Sequence, residues 1–246
     1  MMVAVHPVQL TIPGRFNGPP DSANGGYTAG RLAAALRTLR PEQAADRPVT
    51  VTLSQPPPLD AAIVVGLDEA GRAAATFGGA QIATAEPGRF GHPPVDPVSP
   101  GTAKEAERAY AGLTSHPFPT CFSCGPQRSD GLGLRPGRVG ADPAGPVACV
   151  WSPSTDLPHD DDGVAPELVW TALDCPSGWA TDLENRPMVL GRFTVAVDAR
   201  PQPGETCVVV ARVISAEGRK AFTASTLYDS DGRVLGRAEA TWIALR

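Results

Sequence analysis

Asn24-Gly25-Gly26-Tyr27-Thr28-Ala29-Gly30-Arg31-Leu32-Ala33-Ala34-Ala35-Leu36-Arg37-Thr38-Leu39 is the stretch on which the fold turns, because a segment of the same kind recurs at Pro166–Asp182. Leu32, Ala35, Leu36 and Leu39 fall at helical spacing and Pro41 lies just beyond, which predicts a helix over Gly26–Leu39. Upstream, a polar Gly/Pro/Asn loop (Gly14–Asn24) leads back to the alternating segment Val8–Ile12, a strand. Downstream, Val49, Val51 and Leu53 alternate with threonines before Pro56-Pro57-Pro58 turns the chain. Ile63–Leu67, Ala73–Phe77 and Ala80–Ala85 complete a meander, with turns at Glu69-Ala70-Gly71 and Gly78-Gly79.

The second half repeats this order. Val147–Trp151 is a strand, Ser152–Gly163 a polar loop and Pro166–Asp182 mostly helical. Phe193–Val197, Cys207–Ile214, Ala221–Tyr228 and Val234–Ala244 follow as strands, with turns at Pro201–Gly204 and Asp229-Ser230-Asp231-Gly232. Sliding the halves so that Gln9 meets Val150 puts Gly25 on Pro166 and Ala33 on Asp174. Each copy is an antiparallel sheet with one helix on a face, an α+β arrangement. Between the copies, a Pro/Gly-rich stretch from Glu86 to Gly101 precedes a helical segment, Thr102–Gly112, and a second loop, Ser115–Thr120. The expected organisation is therefore an N-terminal half at 1–100, a linker at 101–120 and a C-terminal half at 121–246.

Composition excludes several function classes. Of 246 residues, 42% are hydrophobic and 19% charged, which is globular rather than disordered. A net charge of −5 gives no basic face for nucleic acid or anionic lipid. The longest apolar run, Ala61–Leu67, is far short of the roughly 20 residues of a membrane span. Met1–Leu10 lacks the basic-then-apolar order of a secretory leader, so a soluble cytoplasmic protein is expected. Basic charge is almost all arginine, with Lys104 and Lys220 the only lysines, a skew expected of a high-GC bacterial genome. Five cysteines, all beyond position 120, make a disulfide framework a poor expectation.

A helix wrapped by a sheet in β-α-β-β-β-β order, occurring twice, resembles a double-hotdog protein. Asn17-Gly18 followed by Asn24-Gly25-Gly26 resembles the Asn-Gly…His-Gly-Gly signature of phenylacetyl-CoA-type thioesterases, relatives of the 4-hydroxybenzoyl-CoA thioesterases. Ala172-Leu173-Asp174 is similar to the Leu-Ala-Asp segment carrying that group's acid. Cys121-Phe122-Ser123-Cys124-Gly125-Pro126, running into Gly131-Leu132-Gly133-Leu134, is similar to a Cys-x-x-Cys-Gly…Gly-Leu lead-in of such domains.

The departures from that pattern are specific. The family's acid lies eight residues after the first glycine; here Gly25 is followed at that spacing by Ala33, while Asp174 is preceded by Pro166. Because family sites are shared between two subunits, the resemblance implies one composite site, with Asn17, Asn24 and Gly25 facing Asp174. The reciprocal site would pair Ala33 with Pro166, which has no amide proton. The resemblance thus implies an acyl-CoA thioesterase-like hydrolase, the alternative being a non-catalytic acyl-CoA-binding protein of the same fold. Asp174 would be base or nucleophile, Gly25 the oxyanion donor and Asn17 the group orienting water or thioester. Gly26, Trp170 and Thr171 are expected to meet the substrate, and Trp170, Leu173 and Trp179 to supply apolar surroundings for Asp174. Fused chains of this kind associate further, so a homodimer is expected.

Simpler roles exist for the same residues. Gly25-Gly26 would ease a tight loop-to-helix junction, Asn24 would serve as an N-cap, and Asp174 would cap a helix break at Pro176 and Gly178. No second Cys-x-x-Cys follows Cys121 and Cys124, so neither a metal nor another cofactor is expected. Cys175 has no nearby histidine in sequence to activate it, and His159-Asp160-Asp161-Asp162 has the composition of a solvated loop.

Overall fold

Valine and threonine alternate through Val49–Leu53, a pattern that covers one face of a pleated strand with apolar groups. The computed structural model describes residues 6–44 and 47–245, so the first five residues of the segment read for a leader lie outside the described residues. The N-terminal half runs β1 (Val8–Leu10), α1 (Gly25–Leu39), a single turn α2 (Pro41–Ala44), β2 (Val49–Leu53), β3 (Ile63–Leu67), β4 (Ala73–Phe77) and β5 (Ala80–Pro87). Beyond it come α3 (Pro100–Ala106), β6 (Gly137–Arg138), β7 (Val147–Trp151), the small hairpin β8 (His159–Asp160) and β9 (Gly163–Val164), and α4 (Pro166–Trp179). The chain closes with β10 (Met188–Val197), β11 (Cys207–Glu217), β12 (Lys220–Asp229) and β13 (Val234–Ala244).

Eleven of these strands form one antiparallel sheet in the order β1-β3-β4-β5-β2-β10-β13-β12-β11-β7-β6. The first half's order, 1-3-4-5-2, reappears in reverse as 10-13-12-11-7, so the two halves are related by a pseudo-twofold through the β2–β10 pair. At that seam Val51 lies opposite Phe193 and Thr50 opposite Thr194, whose buried hydroxyls share a 2.8 Å hydrogen bond. Both helices pack on the sheet and on each other, and a single apolar core runs from Leu10 in one half to Trp242 in the other. The helices approach closely at Gly26 and Gly30, where an added Cβ would lie 2.6 Å from the Asp174 Cβ and 2.7 Å from the Glu167 Cα.

The duplicated order is as the sequence implied, with differences at element ends. The first strand stops at Leu10 rather than Ile12, because the chain turns there toward Pro13 and the Ile12 carbonyl accepts from Asp60 N–H instead. The second helix ends at Trp179 rather than Asp182, closed by the Thr181 hydroxyl on the Gly178 carbonyl. The strand expected at Phe193–Val197 begins at Met188, its alternation broken by a register shift around Gly191. Residues 101–120 do not form a free tether. Ala103 and Ala106 pack with Val95, Ala148, Val208 and Tyr228 on the outer face of the C-terminal half, and the Glu107 carboxylate accepts from Val150 N–H at 3.0 Å. The acidic run before α4 is exposed, and Arg200 binds Asp160 and Asp162. Among the described residues no helix is long and apolar enough to cross a membrane.

Candidate active site

The start of α1 leaves its first amide protons without intrahelical acceptors, as any helix does. Asn24 is the N-cap: its Oδ1 accepts from Tyr27 N–H at 2.8 Å. Gly26 N–H donates to Asp174 Oδ2 at 2.9 Å, a bond that joins α1 of one half to α4 of the other. Gly25 N–H has no acceptor among the described residues. Gly26 lacks a side chain for a steric reason, since a Cβ there would also meet the Trp170 carbonyl at 2.8 Å.

Asp174 is 2% exposed, and its second oxygen, Oδ1, is buried without a hydrogen-bond partner. Burial pushes its pKa up to about 7; the Gly26 amide and the Asn24 side chain pull it down, while the nearby Cys121 sulfur adds to the rise. Pro176, inside the same helix, supplies no N–H, and serines address the neighbouring carbonyls: Ser123 donates to Thr171, Ser177 to Asp174 and Ser225 to Leu173. These bonds fix the segment that carries the carboxylate.

Asn24, Gly25 and Asp174 line one cavity of about 490 Å³, walled by Leu53, Leu190, Met188 and Trp242. That size, an apolar wall and a few converging polar groups are typical of a small-molecule site. Asp174, Asn24 and Gly25 are thus brought together, with Gly26 directly behind them. The other expected residues are elsewhere. Asn17 donates to Gly18 and Pro19 carbonyls and to Thr120 Oγ1, and accepts from Arg128 at 2.8 Å, so its amide shapes the loop and does not reach the cavity. Trp170 packs edge-on against Phe193 in the core, and the Thr171 hydroxyl bonds the Glu167 carbonyl; neither lines the cavity. Ala33, at the position equivalent to Asp174, is fully buried among apolar groups.

Three cysteines also line this cavity: Cys121 and Cys124 from the loop before β6, and Cys175 from α4. Neighbouring thiols and backbone amides hold Cys121 well below the ordinary thiol value, while burial and the adjacent sulfurs push Cys124 and Cys175 up. Sequence spacing missed this grouping, because Cys175 lies in a different element from the Cys-x-x-Cys pair.

A protein of unknown function with hot dog fold from Alicyclobacillus acidocaldarius superposes on the whole of this chain, with 95% of its own length covered, a TM-score of 0.65 and 14% identity. The fold is a double hotdog. Two other structural neighbours are a tesB protein of Mycobacterium avium subsp. paratuberculosis and an acyl-CoA thioesterase II, TesB2, of Mycobacterium marinum. The first has a TM-score of 0.64 at 13% identity, covering 100% of this chain and 96% of its own; the second has 0.62 at 14%, covering 100% and 95%. No protein-family model matches the sequence, and no curated protein matches it.

Proposed function

We propose that this double hotdog hydrolyses acyl-CoA-type thioesters at one composite site per chain. The observation that carries the proposal is the bond from Gly26 N–H to Asp174 Oδ2, which holds a buried carboxylate from one half against the helix start of the other at a cavity wall. The structural neighbour named as an acyl-CoA thioesterase II supports the substrate class.

In this mechanism the thioester carbonyl oxygen lies at the start of α1, where Gly25 N–H and the helix dipole stabilise negative charge. Asp174, at the cavity wall, takes a proton from water as the water oxygen attacks the carbonyl carbon. Collapse of the tetrahedral species breaks the C–S bond, and the proton passes to the departing thiolate. A carboxyl titrating at about 7 suits a base working near neutrality. Asn24 occupies the position of the related enzymes' histidine and cannot titrate, so the proton transfers fall to Asp174.

The test is release of free thiol from a panel of acyl-CoAs in the presence of a thiol reagent. Turnover that falls by about 10²–10⁴-fold in Asp174→Asn, with the melting transition retained, supports the proposal. Acyl-CoA binding without thiol release, unchanged by that substitution, favours a non-catalytic binding protein of the same fold instead, and thiol release that survives the substitution overturns the role given to Asp174.

A further inference from the structure

Cys121, Cys124 and Cys175 are all buried, and their sulfurs lie within 4.8 Å of one another. The Cys121–Cys175 separation is 3.7 Å, close to the edge of about 3.8 Å for a tetrahedron of thiolates at the usual Zn–S length of about 2.3 Å. The groups around the sulfurs are donors. Asn24 Nδ2 points at Cys121 Sγ (3.8 Å) and Cys175 Sγ (4.0 Å), and the Trp179 indole N–H donates to Cys124 Sγ at 3.4 Å. His116 Nδ1 accepts from Phe118 N–H, which places the neutral ring's proton on Nε2, 3.3 Å from Cys124 Sγ. A ring held in that tautomer is a donor to sulfur rather than a metal ligand. N–H groups converging on sulfur stabilise thiolates, and such outer contacts orient the ligands of metal sites.

The chain contains its own comparison. Cys149 and Cys207 are buried as well, yet neither belongs to a cluster of ligating side chains among the described residues, and the Cys207 thiol itself points at the Glu205 carbonyl. They are ordinary core thiols, and the three-sulfur group is different.

We propose that Cys121, Cys124 and Cys175 form a three-thiolate site for a thiophilic divalent cation of the zinc class, its fourth coordination position open to the cavity. The thiols lose their protons to solvent as the ion binds, and no redox step is involved. Because all three cysteines line the same cavity as Asp174, a soft group entering it, a thiol above all, would meet the open position. This site requires nothing of the hydrolase proposal, and its test reads metal rather than turnover.

The test is titration of the reduced full-length protein with Zn²⁺ against a chromophoric chelator, and with Co²⁺ by absorption. One zinc per chain is expected, with an intense thiolate-to-cobalt charge-transfer band and tetrahedral d–d bands. Cys121→Ser, Cys124→Ser and Cys175→Ser should each weaken zinc binding by at least about tenfold, whereas Cys149→Ser and Cys207→Ser leave it unchanged. Failure of the reduced wild-type chain to take up zinc overturns the proposal without reference to any variant. So does zinc binding that survives all three single substitutions, or a Cys121–Cys175 disulfide found in the isolated protein that, once reduced, gives no metal uptake.

Discussion

Gly26 shows how one hydrogen atom sets a site. Its missing side chain lets Asp174 lie against the helix start, and an alanine methyl would sit 2.6 Å from the Asp174 Cβ and 2.8 Å from the Trp170 carbonyl. Neither neighbour is the free end of a flexible chain, so the two helices must part. Gly26→Ala should cost about 1–3 kcal/mol in urea denaturation and lose turnover together with stability; unchanged stability would mean that the helices are not this close. The sequence pointed to Gly25 as the partner of Asp174, because each copy lacks what the other keeps: Ala33 stands where an acid would be and Pro166 where Gly25 would be; the amide that bonds the carboxylate belongs to Gly26, one residue on. The place of Asn17 was not legible. Its amide is set by Arg128, far along the chain, and no local spacing encodes that contact.

Among the elements, β2 and β10 carry the union of the halves, and the Thr50–Thr194 hydrogen bond lies between them with both side chains buried. Thr50→Val keeps the shape but strands the Thr194 hydroxyl, a loss of about 1–3 kcal/mol. Replacing both threonines removes the orphan along with the bond, so Thr50→Val/Thr194→Val should recover most of that loss in a double-mutant cycle by urea denaturation. Strictly additive losses would show that the two hydroxyls do not depend on each other. Helices and central strands were readable from periodicity, since both have a buried face. The ends of β10 and α4 were not: Gly191 interrupts alternation, and Pro176 stands inside a helix whose neighbouring carbonyls are bonded by Ser177 of that helix and by Ser123 and Ser225 from two other segments. The grouping of Cys175 with Cys121 and Cys124 escaped for a related reason, as it arises only when α4 docks on the loop before β6.

At the scale of the whole molecule, one sheet and the main apolar core cross the boundary between the copies, so the opening of either half exposes core residues of the other. The chain carries its own reporter for this. All four tryptophans, Trp151, Trp170, Trp179 and Trp242, lie in the C-terminal half and are buried, whereas far-ultraviolet circular dichroism sees both halves. The two signals should follow a single coincident transition in urea. Leu36, 1% exposed in α1 of the other half, supplies the sharper test. Leu36→Ala removes a buried isopropyl group at a cost of about 2–5 kcal/mol, and cooperative coupling requires the tryptophan signal to shift to lower urea by the same amount as the dichroism. A tryptophan transition that stays in place while part of the dichroism melts early would mean that the copies fold as separate units, and a site built from one residue of each would then have to be assembled by docking rather than by folding.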